Sequence, residues 1–235
     1  MAACDRRKRT MADPVAPTVA FWHQVQVPDG DSDTSSQGLN TAEKIEYYSV
    51  HAEEYDSEQA EAQFGGPLKA AEALHKYLNG RLDARVLDVA AGTGEVVKLV
   101  RRFADYNNID GLDAAKGMLE VAQQSGLYKE LFHMLFTINT GLPHDSYDVV
   151  ISCGAIGPGH ITLDGFQEML NLLKSGGYVI IVVRRLYTLE YPGYKELSPM
   201  LNQWESEGKI KLLEQSIFAD FYPGYEGLTI VFKKL

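Results

Sequence analysis

The most constraining feature of this 235-residue chain is a short β-type segment that runs directly into a glycine-containing loop and then a helix. Residues 86–94 read VLDVAAGTG, and the apolar residues that follow recur at helical spacing. Small residues at such a junction let a ligand approach the backbone, and the exposed N–H groups that begin the helix face that ligand. The loop therefore predicts a nucleotide-type binding site, with Asp88, Ala90, Gly92 and Gly94 in contact with the ligand.

A second acidic residue strengthens this prediction. Asp113 follows Gly94 by 19 residues and ends the next predicted strand. That spacing suits a carboxylate that accepts hydrogen bonds from two ribose hydroxyls. A tight strand–helix turn and a helix-capping acid would explain the two features separately, but their combination favours an adenosine-type ligand.

Alternation of strands and helices continues along the chain and predicts an α/β fold. Strands are predicted over 85–89, 108–112, 131–138, 147–152 and 178–183, with helices over 94–103, 114–124 and 166–173 between them. Such alternation indicates a mostly parallel sheet with helices on both faces. A helix over 194–208 follows, and the runs 210–221 and 228–233 are too close for a helix between them, which predicts a C-terminal antiparallel hairpin.

The N-terminal part divides into two regions. Residues 1–39 are polar and rich in turn-forming residues, which predicts a flexible tail. Residues 40–235 are predicted to form one domain, with a helical cap over 40–80 and a core over 84–235. Asn40 followed by Glu43 predicts a capping box, and Pro67 predicts the first turn of a further helix.

Charge and cysteine content limit the function classes. The chain carries a net −10, and four basic residues against one acid give the first ten residues +3, so the remainder carries −13. An acidic body disfavours a nucleic-acid substrate. Cys4 and Cys153 do not make a disulfide framework or a metal site, so we expect no metal. No apolar run is long enough for a membrane span. We expect the protein to be cytoplasmic and monomeric. The basic cluster at 6–9 is also compatible with a nuclear address.

The motifs, taken in order, resemble those of class I S-adenosylmethionine (SAM) dependent methyltransferases. The loop at 86–94 resembles their first motif, with Ala90 in place of a glycine, and the segment GLDAAKGML at 111–119 resembles their second. YDVVIS at 147–152 resembles their fourth strand, and LKSGG at 173–177 resembles the turn before their fifth. The resemblance implies a Rossmann-like fold with a seven-stranded sheet, SAM as cofactor and S-adenosylhomocysteine as product.

Further segments are similar to the Williams–Beuren-region methyltransferase-like proteins. These are AEEYD at 52–56, GLYKEL at 126–131 and GAI with GH at 154–160. This likeness implies that an N-terminal helix closes over the cofactor and that Tyr55 contributes to the site. The resemblance also assigns Ala114 and Met118 to the adenosine pocket, with Met118 beside adenine, and makes Asn139 a candidate partner of the adenine amino group.

The methyl acceptor is left open between a small molecule and a protein. Cys153 lacks the adjacent proline typical of cytosine-5 enzymes and is interpreted as a small residue that lines the cofactor pocket. His160, in a loop after the fourth strand, is a candidate general base, and a surface histidine is the equally weighted alternative. Two other functions are considered, a non-catalytic SAM-binding protein and an NAD(P)-dependent oxidoreductase. The oxidoreductase would require a glycine at Val97, and its tyrosine–lysine pair would be Tyr191 and Lys195.

Overall fold

A computed structural model describes residues 40–157 and 159–235 of the chain. The predicted tail over 1–39, including the basic cluster at 6–9, lies outside the described residues. Within these ranges the elements form one mixed sheet flanked by helices.

The sheet has seven strands among the described residues, in the spatial order β3-β2-β1-β4-β5-β7-β6. The first five of this order pair in parallel, β7 pairs antiparallel with β5, and β6 pairs antiparallel with β7. The predicted class I methyltransferase topology with its C-terminal hairpin is therefore confirmed. The strands are β1 Val86–Val89, β2 Ile109–Asp113, β3 Leu131–His133, β4 Tyr147–Cys153, β5 Leu173–Arg184, β6 Ile210–Tyr222 and β7 Tyr225–Lys234.

Helices cover both faces of this sheet, because alternate strand residues point to opposite sides and both sets are apolar. Val179 and Ile181 belong to one buried cluster, whereas Ile180 and Val182 belong to another on the opposite face. The described helices are α1 Thr41–Val50, α2 Ala52–Glu61, α3 Gly66–Leu78, α4 Glu95–Val100, α5 Lys116–Gln124, α6 Asp164–Leu172, α7 Arg185–Glu190 and α8 Leu197–Ser206. Helices α3 and α4 cover one face, and α6 and α8 cover the other.

The N-terminal helices begin as the sequence predicts. Asn40 accepts a hydrogen bond from the Glu43 backbone at 3.1 Å, and the Glu43 carboxylate accepts one from the Asn40 backbone at 2.7 Å, which completes the capping box. Helix α1 ends at Val50, and α2 begins at Ala52, so His51 separates the two helices. Helices α1 and α2, which we call the cap, lie against α5, whereas α3 packs on the sheet.

Strand β3 is shorter than the sequence pattern indicates. It ends at His133, which pairs with Asp113, the last residue of β2. Residues beyond His133 have no strand to pair with, and Leu135 and Ile138 are half exposed at 50% and 58%. None of the described helices is long and apolar enough to cross a membrane.

Candidate active site

A cavity opens at the carboxyl ends of the four central strands, which is where open α/β sheets bind ligands. Its wall includes Ala90 and Gly92 after β1, Asp113 at the end of β2, Cys153 at the end of β4 and Arg184 at the end of β5. The sheet therefore brings residues that are far apart in sequence to one place. The cap helices close one side, since Lys44, Ile45, Tyr47, Tyr48 and Tyr55 also line it.

The loop after β1 holds an unusual backbone shape that leaves room beside it. Ala90, Gly92 and Gly94 have φ angles of 56°, 56° and 90°, in the left-handed region that favours glycine. A Cβ atom built on Gly92 would meet nothing within 4 Å, so open space adjoins the loop there. Gly94 instead lies against the Tyr128 ring, at 2.9 Å from a built Cβ, and serves packing.

Asp113 is tied to this loop by its carboxylate. One oxygen accepts the Gly92 N–H at 2.8 Å, and the other accepts the Ala115 N–H at 2.8 Å. Burial raises the pKa of Asp113, while the N–H donors of Ala115, Gly92 and Ala114 act in the opposite direction. A carboxylate has about four lone-pair sites, more than these N–H donors occupy, so acceptor capacity remains for a ligand such as a ribose diol.

Asp88 occupies a different position. It is 1% exposed, accepts the Tyr128 hydroxyl at 2.7 Å, and lines a second cavity that shares Tyr55, Ala90, Gly92 and Cys153 with the first. Burial raises the pKa of Asp88 to about 7, and the Tyr128 hydrogen bond counteracts part of that rise. Asp88 therefore titrates near neutrality in the wall of the adjoining cavity.

The cap is attached to the cofactor loop and to α5 by specific contacts. The Thr93 hydroxyl donates to Asp56, and Lys98 pairs with the same carboxylate at 2.5 Å. On the other side, a Cβ atom on Gly117 would lie 2.0 Å from the Ser49 carbonyl oxygen, so only glycine permits this approach of α5 to α1. These contacts place the aromatic rings of the cap over the cavity.

His160 and Cys153 also line this cavity. The His160 Nε2 atom lies 3.3 Å from the Tyr48 hydroxyl. Burial raises the pKa of Tyr48, so its hydroxyl stays protonated near neutral pH. Burial also raises the pKa of the Cys153 thiol, which disfavours a thiolate nucleophile there.

The structure brings most of the predicted site residues together. The first cavity is lined by Tyr55, Ala90, Gly92, Asp113, Ala114, Met118, Cys153 and His160. Asp88 lines the adjoining cavity. Asn139 lines neither, and its side chain accepts the Gly141 N–H at 3.2 Å within an exposed turn. Among the described residues, no cluster of His, Cys, Asp and Glu could hold a metal ion.

Several lining residues were not predicted as site residues. The C-terminal hairpin contributes Phe221 and Tyr222, and Tyr222 stacks on Phe64 with ring centroids 4.8 Å apart. Nothing in the local sequence distinguishes these rings from ordinary packing aromatics. Arg184 does carry a signal, because a cation directly follows the apolar run of β5.

Comparisons with known proteins agree with this geometry. Residues 86–177, from β1 into β5, match the model of a methyltransferase domain family. The human methyltransferase-like protein 27 is 33% identical over 147 residues, which cover 61% of this chain and 58% of that protein. A ubiquinone/menaquinone biosynthesis C-methyltransferase from Geotalea daltonii is 29% identical over 147 residues, covering 60% and 63%. The matched stretch thus spans less than two thirds of either relative.

Solved structures show the same fold. A SAM-dependent methyltransferase from Thermotoga maritima, described as a possible histamine N-methyltransferase, superposes with a TM-score of 0.54 at 18% identity. The superposition covers 82% of this chain and 99% of that one. In fold and in sequence the chain is therefore similar to class I methyltransferases. The comparisons also support the predicted likeness to methyltransferase-like proteins, of which the human protein 27 is an example.

Proposed function

We propose that this chain transfers a methyl group from SAM to a small-molecule acceptor inside the first cavity, at the carboxyl ends of the central strands. The observation that carries the proposal is the continuity of that cavity. It joins Asp113, a carboxylate with acceptor capacity left for a ligand, to an end lined by aromatic rings, and the cap covers both.

The residues present suit the cofactor. Asp113 would hold the ribose hydroxyls, Ala114 and Met118 would contact the adenine, and the open space at Gly92 would admit the rest of the molecule. Asp88, in the adjoining cavity, would attract the positively charged part of the cofactor. When bound, SAM supplies a methyl group on a positively charged sulfur, and the aromatic lining favours positive charge.

The chain's own contribution to transfer is alignment, exclusion of water and removal of a proton where the acceptor must lose one. The cap excludes water, because it packs on α5 and binds the cofactor loop through Asp56. His160 is the candidate base, and the Tyr48 hydroxyl at 3.3 Å positions its ring. A ring nitrogen of His160 would accept the proton that the acceptor atom loses.

A small acceptor is supported by the enclosure of the site and by the acidic body of the chain. One relative is named for ubiquinone/menaquinone biosynthesis, and one fold neighbour is described as a possible histamine N-methyltransferase. A protein acceptor is the second choice, and the net charge of −10 disfavours nucleic acid. The cytoplasmic location and the monomeric state stay predictions.

Labelled-methyl transfer from SAM into cell extract, followed by mass identification of the product, tests the proposal. A labelled small molecule is expected. Tight SAM binding without transfer to any small-molecule or protein fraction would favour the non-catalytic binding protein instead.

Calorimetry with SAM and with NAD(P)H tests the oxidoreductase alternative, and we expect binding of SAM alone. Val97 is fully buried in α4, where a dinucleotide fingerprint would have glycine. Tyr191 packs in the hydrophobic core, and neither it nor Lys195 lines the described cavity.

A further inference from the structure

A buried cation lies in the cavity wall without a carboxylate partner. Arg184 is 3% exposed and ends β5. Its Nε and Nη2 atoms have no hydrogen-bond partner, and no carboxylate of the described residues pairs with it. Its guanidinium instead lies over the Tyr225 ring, 3.8 Å from the centroid, and 5.7 Å from that of Tyr187.

The aromatic faces only partly compensate this buried charge. A cation–π contact contributes about 1–2 kcal/mol, whereas removing an ion from water costs several kcal/mol even after relaxation. Buried charges are therefore normally paired with an opposite charge. Arg184 has the features of a cation whose partner is a ligand.

The atoms left unpaired define the shape of that ligand. Nε and Nη2 lie on one edge of the guanidinium, which is the edge that binds a carboxylate in two-pronged fashion. The same edge is in use elsewhere in this protein, where Arg85 donates from Nε at 3.0 Å and from Nη2 at 2.8 Å to a single carboxylate oxygen, Oδ2 of Asp110. Arg85 thus provides an internal reference for the pairing that Arg184 lacks.

The position of Arg184 separates it from the cofactor end of the cavity. Asp113 ends β2 and Arg184 ends β5, three strands away in the order β2-β1-β4-β5. At about 4.8 Å per strand, the two strand ends lie about 14 Å apart. Asp113 is the one carboxylate among the described lining residues, whereas Arg184 is a cation, so the β5 end of the cavity attracts an anion.

We propose that Arg184 binds the carboxylate of the methyl acceptor, and that the acceptor is a small organic acid whose apolar or aromatic body packs among Tyr187, Phe64 and Tyr222. This assignment rests on the proposed methyltransferase function and narrows its substrate class. Arg184 thereby becomes a specificity-determining residue, because a neutral analogue of the acid would leave its donors unpaired.

Binding of benzoate and of benzamide, its neutral counterpart, to protein saturated with S-adenosylhomocysteine tests the assignment without any turnover. Calorimetry or ligand-observed NMR should show benzoate binding at least about tenfold more tightly than benzamide, since hydrogen bonds to charged groups are the stronger ones. The Arg184→Met variant should lose this preference. Its SAM affinity should stay within about twofold of the wild type, because the cofactor lies at the other end.

The matched control is Arg185→Met, which removes the adjacent cation, whose partner is the exposed Glu226 outside the cavity wall. This variant should keep the benzoate preference. If Arg184→Met does not fold, Arg184→Lys replaces it, since lysine keeps the charge but lacks the two-pronged edge and should lower the preference.

Three binding results would overturn the assignment. They are equal or absent binding of benzoate and benzamide, a preserved preference in the folded Arg184 variant, and a loss of SAM affinity as large as the loss for benzoate. The last would mean that Arg184 holds the cofactor's own carboxylate. Separately, a labelled product without an acidic group would overturn the Arg184 assignment but leave the methyltransferase proposal standing. A chain that prefers benzoate but transfers no label would instead overturn the methyltransferase proposal and leave Arg184 as a carboxylate-binding residue.

Discussion

Replacing Asp113 by asparagine should weaken SAM binding strongly while leaving the protein folded. Asparagine keeps the size of the side chain but offers one acceptor oxygen instead of two. In the structure both carboxylate oxygens accept backbone N–H groups, from Gly92 and Ala115 at 2.8 Å each. The NH₂ group of Asp113→Asn would therefore face one of these donors.

The magnitude follows from the hydrogen bonds that change. A hydrogen bond to a charged group contributes about 1 kcal/mol more than a neutral one, so two ribose contacts lose about 2 kcal/mol, or about 30-fold in affinity. A backbone N–H donor left without an acceptor costs about 1–3 kcal/mol more. The share of this cost that arises only when SAM is bound raises the loss of SAM affinity to about 100-fold or more.

The assay is calorimetric titration with SAM of wild-type and Asp113→Asn protein, after circular dichroism has shown that both are folded. The matched control is Glu120→Gln, which removes a carboxylate from the exposed face of α5, where Glu120 pairs with Lys116 at 2.9 Å. The control should bind SAM within about twofold of the wild type, since exposed ion pairs contribute little. Unchanged SAM affinity in folded Asp113→Asn protein would refute the ribose assignment.

Three further variants probe other parts of the site. Asp88→Asn should flatten the pH dependence of stability. The pKa of Asp88 is about 7 in the folded protein against an ordinary 3.8, so between these values the folded protein keeps a proton that the unfolded chain has lost. Wild-type stability therefore falls as the pH rises through this window. At about 1.4 kcal/mol per pKa unit, up to about 4 kcal/mol is involved, and urea unfolding from about pH 4 to 8 measures it. Gly117→Ala should displace α1, lower stability by about 1–3 kcal/mol and weaken SAM binding, as followed by thermal unfolding and titration. His160→Ala should slow turnover about 10²–10⁴-fold with little change in SAM affinity, as measured by the pH–rate profile with a confirmed acceptor.

Each of these variants has a contradicting outcome. Parallel pH profiles for wild type and Asp88→Asn would show that Asp88 is not the titrating group. Ser49→Ala removes a hydroxyl 3.5 Å from the Gly117 N–H without adding bulk, so it should leave stability nearly unchanged, and an equal loss in both variants would remove the steric explanation. An unaltered rate and pH profile in His160→Ala would exclude His160 as the base.

The sequence predicted the parts of this fold that local physics determines. The loop at 86–94, the buried strands on either side of it and the final hairpin are visible because glycine placement and apolar runs follow directly from backbone and burial requirements. Strand β3 was predicted too long, because its end depends on the length of its neighbour β2, which the sequence of β3 does not contain. Helix α7, with six residues, is too short for a periodic pattern to reveal.

The candidate site likewise contains residues that sequence motifs reveal and residues that only the packing of the fold reveals. Asp113, Met118 and His160 were predicted from motifs and do line the cavity, whereas Asn139 was chosen by its place in a motif and lies outside it. Arg184 and Tyr222 reach the cavity only because β5 and the hairpin meet beside β4. Such residues are determined by tertiary packing, so a single sequence does not identify them.

The ties between the cap and the cofactor loop have a kinetic consequence. Asp56 of α2 accepts a hydrogen bond from Thr93 and an ion pair from Lys98, so the cap is fastened to the loop on which the cofactor would rest. Departure of S-adenosylhomocysteine would require this fastening to open, which makes dissociation a candidate for the slowest event of each cycle. Pre-steady-state measurements should then show a burst of methylated product followed by a slower linear phase. Asp56→Asn should raise the linear rate, shorten the residence time of S-adenosylhomocysteine and relieve its inhibition.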